Sequence, residues 1–365
     1  MKNRYLSENY GLFGRTPEKK SRLTALLRGI VSNPIGHFLV FGVLMLVLGY
    51  LSGNKMFGIP YSVQASLAST FAYAIASVGF CLLLGYSGLA SLGIGGFIGI
   101  GCYAVYYIMN VSELSFFVAL VAALAVGTLV GLIVGFISLR IEGIYLVILT
   151  LGLSEILRNL FVALKDSISI SNWELLGFKI TRDDTIYVIV TLLVLLMILT
   201  HNLINSPTGR AMLAMKNSTA ASQAMGISLL KYRLLAFVIC TLYAVVSGMM
   251  LLLSVRSAVA SNGSGFYALI TSLNILAAVI IGGYRSIWGA VFGTFVMYGM
   301  QSTLLSRIAF LKENPEFITF IAGILVILVV MFYPAGLAQL AKESVGYLKK
   351  GLKKWKEGIY GKDLG

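Results

Sequence analysis

Long uncharged apolar runs, separated by short polar or charged stretches, make up most of the chain. Ten of them stand out: Ile35–Leu51, Gln64–Leu84, Leu89–Met109, Phe116–Leu139, Ile144–Leu164, Thr185–Ile204, Leu234–Leu253, Phe266–Gly282, Ile287–Leu305 and Phe317–Tyr333. Each is roughly 17–25 residues long, the length of helix that crosses a bilayer. None alternates apolar with polar residues, so the pattern is that of helices and not of strands. In hydrocarbon every backbone N–H and C=O must be satisfied within the protein, which leaves helix bundles and closed barrels. The predicted fold is therefore all-α: a polytopic membrane helix bundle of about ten transmembrane helices. The third run is rich in glycine, which fits close helix packing first and a partly broken helix as the alternative.

Composition sharpens this picture. The chain is 58% hydrophobic and 12% charged, about half the charge of an ordinary soluble domain. Its net charge of +14 could suggest nucleic acid, but the distribution argues against that partner. With the N-terminus inside, 20 of the 28 Lys and Arg fall on the cytoplasmic side, seven on the outer side, and Arg158 within a span. That asymmetry follows the positive-inside rule and predicts that both termini are cytoplasmic. Basic flanks of this kind sit against anionic lipid headgroups in the cytoplasmic membrane. The organisation expected is a basic N-terminal segment (1–34), a transmembrane domain (35–333) and a basic C-terminal tail (334–365). The polar, basic start, with no small-x-small site after the first run, speaks against a cleaved signal peptide. Cys81, Cys102 and Cys240 all lie inside apolar runs without a CxxC pair, and are expected to be small core side chains.

The longest inner loop, about 205–233, has a pattern of its own. Ser206-Pro207 reads as an N-cap and first-turn pair, Ser218 as a second N-cap, and Gly226 as a left-handed C′ residue. Two short helices along the membrane surface are predicted. Ala220, Ala221, Ala224 and Met225 share one face, and the exposed side is expected to be small and Met-rich, suited to a groove on another protein. An amphipathic connector resting on headgroups fits the same residues.

Glu155 and Arg158 are the charges well inside a span. At i and i+3 they share a helix face and can pair. They fit either a translocation path that meets a zwitterion or a structural ion pair near the outer end. The glycines at 85, 88, 93, 95, 96, 99 and 101 fit close helix packing, or a broken helix at which Tyr86 and Ser87 would offer polar contacts. Gly85-Tyr86-Ser87-Gly88 also matches the GxSG of intramembrane serine proteases. That chemistry needs a His base, and neither His37 nor His201 has the expected context. Trp173 and Glu174, in the outer loop, fit an interfacial anchor or a partner contact. Trp288 is expected to anchor or pack.

Four stretches together resemble the integral-membrane permeases of ABC importers, specifically the branched-chain amino acid permease type. The inner loop carries Ser206-Pro207-Thr208-Gly209-Arg210-Ala211, then Ala220-Ala221 through Ala224-Met225-Gly226-Ile227, then Tyr232-Arg233-Leu234-Leu235-Ala236-Phe237. Gly85 to Gly93, continuing through Phe97 to Tyr103, is similar to that family's early Gly-rich segment. Leu139 to Tyr145, with Glu155 to Arg158, is similar to its middle span, and Ile281 to Gly289 to its late turn. The resemblance covers about residues 64–333. It departs at Asn217, Ser218 and Thr219, where relatives often have acidic residues, and at Ile94, where many have His.

The resemblance implies a permease subunit that pairs with a second permease, a paralogue. Two cytoplasmic ABC ATPases would drive the pair and an extracytoplasmic solute-binding protein would feed it. This chain would bind no cofactor; ATP and Mg would be used by the ATPases. Gly209, Arg210, Ala220, Ala221, Met225 and Gly226 would couple to them. Tyr86, Ser87, Tyr145, Glu155 and Arg158 are the candidates for the substrate path. Branched-chain or related amino acids are the family default, while urea, amides, nucleosides or sugars use similar permeases. An ion-coupled carrier usually needs intramembrane acids, and here only Glu155 serves. The chain has no Walker A sequence and no HExxH, so no enzyme is expected and any ATPase is a separate chain.

Overall fold

Proline and serine punctuate the helices. Pro34 opens the first helix, Pro60 precedes the second, and Pro207 opens a surface helix behind a serine cap. Proline is tolerated at such positions because the first-turn N–H groups have no helical acceptor. The structure, a computed structural model, describes residues 34–53, 61–138, 144–170, 173–175, 178–180, 184–261 and 266–300, with scattered positions between 317 and 337. The basic segment 1–33, Leu139–Gly143, and most of the predicted tenth span and of the tail lie outside the described residues.

The helices are α1 (Pro34–Gly53), α2 (Tyr61–Leu82), α3 (Ile94–Val105), α4 (Phe116–Ser138), α5 (Ile144–Lys165), α6 (Thr185–Asn205), α7 (Pro207–Asn217), α8 (Thr219–Ala224), α9 (Leu229–Val255), α10 (Leu269–Gly282) and α11 (Ile287–Thr294). A π-helical turn, Leu83–Ser87, ends α2, and two more follow α3 and α11. Among the described residues six helical segments are long and apolar enough to cross a membrane, and three apolar ones are shorter. Each of the first nine predicted runs coincides with one of these segments. The protein is thus a polytopic helical membrane protein.

Helix α9 is the hub and packs along α2, α3 and α4. Small residues let it approach: a Cβ on Gly101 of α3 would fall on the Val245 carbonyl, and one on Gly248 of α9 would fall on the Ile98 carbonyl. In lipid, helices associate through this kind of close packing and through hydrogen bonds between them. The Cys102 thiol donates to the Gly248 carbonyl (3.1 Å) and the Ser247 hydroxyl to the Ala72 carbonyl (2.7 Å). All three cysteines are buried, as expected of core side chains. Trp288 stacks on Phe38 (centroids 5.3 Å apart) and meets Phe41 edge-on. On α1 and α4 large apolar residues such as Val43, Val47, Leu129 and Ile133 face outward, which suits lipid.

The third run is interrupted, so the alternative to simple close packing is the one present. The chain leaves helix at Gly88, where φ is +74°, and re-enters it at Ile94. The Thr150 hydroxyl receives the Leu92 N–H (3.0 Å), while Ser272 and Ser154 receive those of Gly95 and Gly96 (2.8 and 3.0 Å). Side chains of α5 and α10 therefore stand in for the helical acceptors that the interruption removes.

At the end of the bundle opposite α7 and α8, four short strands were not anticipated: β1 (Ser167–Ser169), β2 (Trp173–Leu175), β3 (Phe178–Ile180) and β4 (Ser257–Val259). β1 pairs antiparallel with β4, and β2 with β3. Asp166 fastens the first pair by accepting from the Ser261 N–H (2.7 Å) and hydroxyl (2.8 Å). Trp173 is 2% exposed and packs against Phe116, so it is a core residue of this end and not an interfacial anchor or a partner contact.

Candidate functional site: the α7–α8 segment and its seat on the bundle

Helix α7 begins where Ser206 accepts the Gly209 N–H (3.3 Å) and Pro207 takes the first turn. It ends at Ser218, whose own hydroxyl accepts the Ala221 N–H (3.3 Å) and starts α8. Gly226 follows at φ +78°, in the left-handed region that an L side chain rarely adopts. These three local devices set the shape anticipated from sequence.

The two helices have opposite roles in burial. On α7, Gly209, Met212 and Met215 are buried, and both methionines pack in the main core. The expected Met-rich exposed side is therefore corrected: of the three methionines only Met225 faces out, at 85% exposure. The spacing of Met212 and Met215 put both on the face of α7 that turns toward the bundle, so they anchor the segment. Gly209 is likewise enclosed by the end of α6. Arg210 is exposed, with Nη1 donating to the Asn205 carbonyl (3.2 Å). Ala220, Ala221, Ala224, Met225 and Gly226 all lie exposed, and a Cβ on Gly226 would meet no atom within 4 Å. A small, nearly uncharged surface is thus presented on an anchored base.

The base connects to two other parts of the chain. Lys216, in the last turn of α7, donates to the carbonyls of Leu84 (3.1 Å) and Gly85 (2.8 Å) in the π turn after α2. Its ammonium also lies 4.4 Å from the centroid of the Tyr284 ring. Burial and the nearby Arg285 pull Lys216 below the ordinary lysine range. The π turn in turn meets the turn between α10 and α11. The Tyr86 hydroxyl donates to the Arg285 carbonyl (3.2 Å) and the Cys81 thiol to the Tyr284 carbonyl (3.2 Å). Sequence reading passed over Lys216, because one basic residue among four in a loop gives no sign of a distant seat.

The candidates for the substrate path are placed as follows. Tyr86 is part of the seat just described. The hydroxyl of Ser87 is buried and donates to the Leu83 carbonyl (2.8 Å). Glu155 and Arg158 form the anticipated ion pair, with Nε donating to Oε1 at 2.9 Å, and Arg158 Nη1 also reaches the Ala260 carbonyl (3.4 Å). Their side chains are 45% and 22% exposed. Tyr145 is exposed on the same helix. The structure does not bring Tyr145, Glu155 and Arg158 together with Tyr86 and Ser87.

Fold and seat define a polytopic helical membrane protein with a surface segment hydrogen-bonded and packed onto the bundle. Residues 62–330 match the family model for the permease component of branched-chain amino acid transport systems, and the chain belongs to that family. It is similar to the high-affinity branched-chain amino acid transport system permease protein LivM of Salmonella typhimurium, 28% identical over 313 residues, covering 77% of this chain and 71% of the relative. The Escherichia coli LivM is 28% identical over 316 residues, covering 78% and 72%. No solved structure matches.

Proposed function

We propose that this chain is the transmembrane permease subunit of an ATP-driven importer for branched-chain or related amino acids. Family membership and the LivM relatives support the transport reading. The observation that carries the coupling part is the division of labour between α7 and α8. One helix is anchored in the bundle by Gly209, Met212 and Met215 and bonded to it, and the other segment is bare at Ala220, Ala221, Met225 and Gly226. A cytoplasmic ATPase would grip the bare helix, and the bonded one would carry its movement into the spans. Alternating access requires two packings close in energy whose balance depends on the nucleotide state of that partner.

In this reading the chain crosses the cytoplasmic membrane ten times, with both termini and the α7–α8 segment inside. A second permease, a paralogue, completes the pathway, two ATPases use ATP and Mg, and an extracytoplasmic binding protein delivers the solute. The charge asymmetry along the sequence supports this sidedness. Glu155, Arg158 and Tyr145 would face the pathway. Polar groups at that depth are costly against lipid and acceptable against water or protein.

The test is affinity purification from the native host in mild detergent, comparing wild type with Arg210→Glu and Gly226→Asp. A P-loop ATPase and a second permease should accompany wild type and be lost from both variants. A chain that purifies alone, and transports in liposomes without ATP, contradicts the proposal.

A further inference from the structure

The last turn of α7 directs its one cation away from water and into the bundle. A π turn leaves the carbonyls at the end of a helix without helical donors. After α2, the Leu83 carbonyl accepts from the N–H groups of Gly88 and Leu89 and from the Ser87 hydroxyl. The next two carbonyls, Leu84 and Gly85, accept from Lys216 instead. A lysine from another helix thus caps the negative end of α2, a favourable place for a cation. The same ammonium lies over the Tyr284 ring, and the Lys216 stem rests on Gly88. Gly85 is pressed so closely to the Tyr284 carbonyl that no side chain fits between them.

Four elements therefore meet at one side chain: α7, the end of α2, the turn joining α10 to α11, and the start of the interrupted segment 88–93. That segment leads directly into α3, whose first N–H groups are held by Ser272 and Ser154 and not by its own preceding turn. Through Lys216, α7 is thus bonded to the Leu84 and Gly85 carbonyls at the entry to that segment.

We propose that Lys216 is the positioning residue through which the α7–α8 segment sets the state of the interrupted segment 88–93. The identity of what moves α7 rests on the permease reading above, whereas the link itself lies within this chain. The three N–H donors of an ammonium suit two converging carbonyls and a ring face. A guanidinium, planar and longer, does not fit the same seat.

The experiment has two arms, both on the full chain in lipid nanodiscs with wild type, Lys216→Met and Lys216→Arg; Lys231→Met, at an exposed position, is the control. In the first arm, hydrogen exchange is followed by mass spectrometry on the chain alone. Lys216→Met should speed exchange in peptides covering 83–93 by about tenfold or more, while α7 stays protected by Met212 and Met215. Lys216→Arg should behave like Lys216→Met, and Lys231→Met like wild type. Unchanged exchange at 83–93 overturns the proposal. So does equal loss of protection in α7, which would make Lys216 a simple fastener of that helix.

In the second arm, the chain is assembled with whatever ATPase, second permease and binding protein co-purify with it. The ratio of solute-stimulated to basal ATP hydrolysis should fall about tenfold in Lys216→Met and stay at the wild-type value in Lys231→Met. A wild-type ratio in Lys216→Met overturns the proposal. If wild type recruits no ATPase the permease reading fails, and the first arm still decides the link.

Discussion

Gly248 of α9 and Ile98 of α3 meet backbone to backbone, so closely that a Cβ on Gly248 would occupy the place of the Ile98 carbonyl. This crossing, with the Cys102–Gly248 hydrogen bond beside it, holds the hub helix to the interrupted third span. Gly248→Val must separate the two helices, and overpacking of this kind costs about 1–3 kcal/mol. Gly152→Ala is the contrast, since no atom lies within 4 Å of the added methyl. A thermal or SDS-denaturation series should show a clear loss for the first and none for the second. Equal stability of the two would sink the close-approach account.

The caps of the surface segment can be removed one at a time. Ser218→Ala deletes the side chain that accepts the Ala221 N–H, at about 1 kcal/mol for such a cap. Because α8 is exposed and short, the loss should be local. Faster hydrogen exchange at 219–225, with an unchanged global unfolding midpoint, is the expected result. A lowered global midpoint would show that α8 is part of the cooperative core.

Glu155 and Arg158 should behave as a unit. A single charge left at the centre of a span costs about 2.5–3.5 kcal/mol on insertion scales. In the permease reading the exposed part of the pair faces the pathway and not lipid, so a smaller penalty is expected. Membrane-inserted yield should fall for Arg158→Met and recover, at least in part, in the double variant Glu155→Gln/Arg158→Met. Additive losses in the double variant would show that the two side chains act separately.

Lys216 should also leave a mark on the pH dependence of stability. Burial and Arg285 hold its folded-state value below the ordinary lysine value of 10.5, with Cys81 opposing them. Between the lowered value and 10.5 the unfolded chain binds the extra proton, so this residue makes stability rise with pH across that alkaline window. Across that window the unfolding midpoint of wild type should gain on that of Lys216→Met as pH increases. An identical slope in both would mean that the lysine titrates normally.

Much of the fold was legible because it depends on local chemistry. Unbroken apolar runs in hydrocarbon have one backbone solution, and the first nine became helices where the pattern placed them. Ser206, Ser218 and Gly226 act within three or four residues of themselves, and each does what its side chain, or lack of one, dictates. The orientation of Met212 and Met215 was not legible, since the neighbour that covers them is set by tertiary packing. The seat of Lys216 was hidden for the same reason: its acceptors lie 131 and 132 residues earlier in the chain. β1 and β4 are three-residue strands joined across α6 to α9, too short to announce themselves. The pairing of Glu155 with Arg158 was legible from i, i+3 spacing alone.

The most direct measurement is a photo-crosslinker placed at Met225 and activated in native membranes. Position 225 is 85% exposed on the surface segment, so a label there faces away from the bundle. The expected result is a specific adduct with a cytoplasmic P-loop ATPase, lost when Gly226→Asp is added. Adducts with lipid alone, or with no protein partner while transport continues, would contradict the coupling role of α7 and α8.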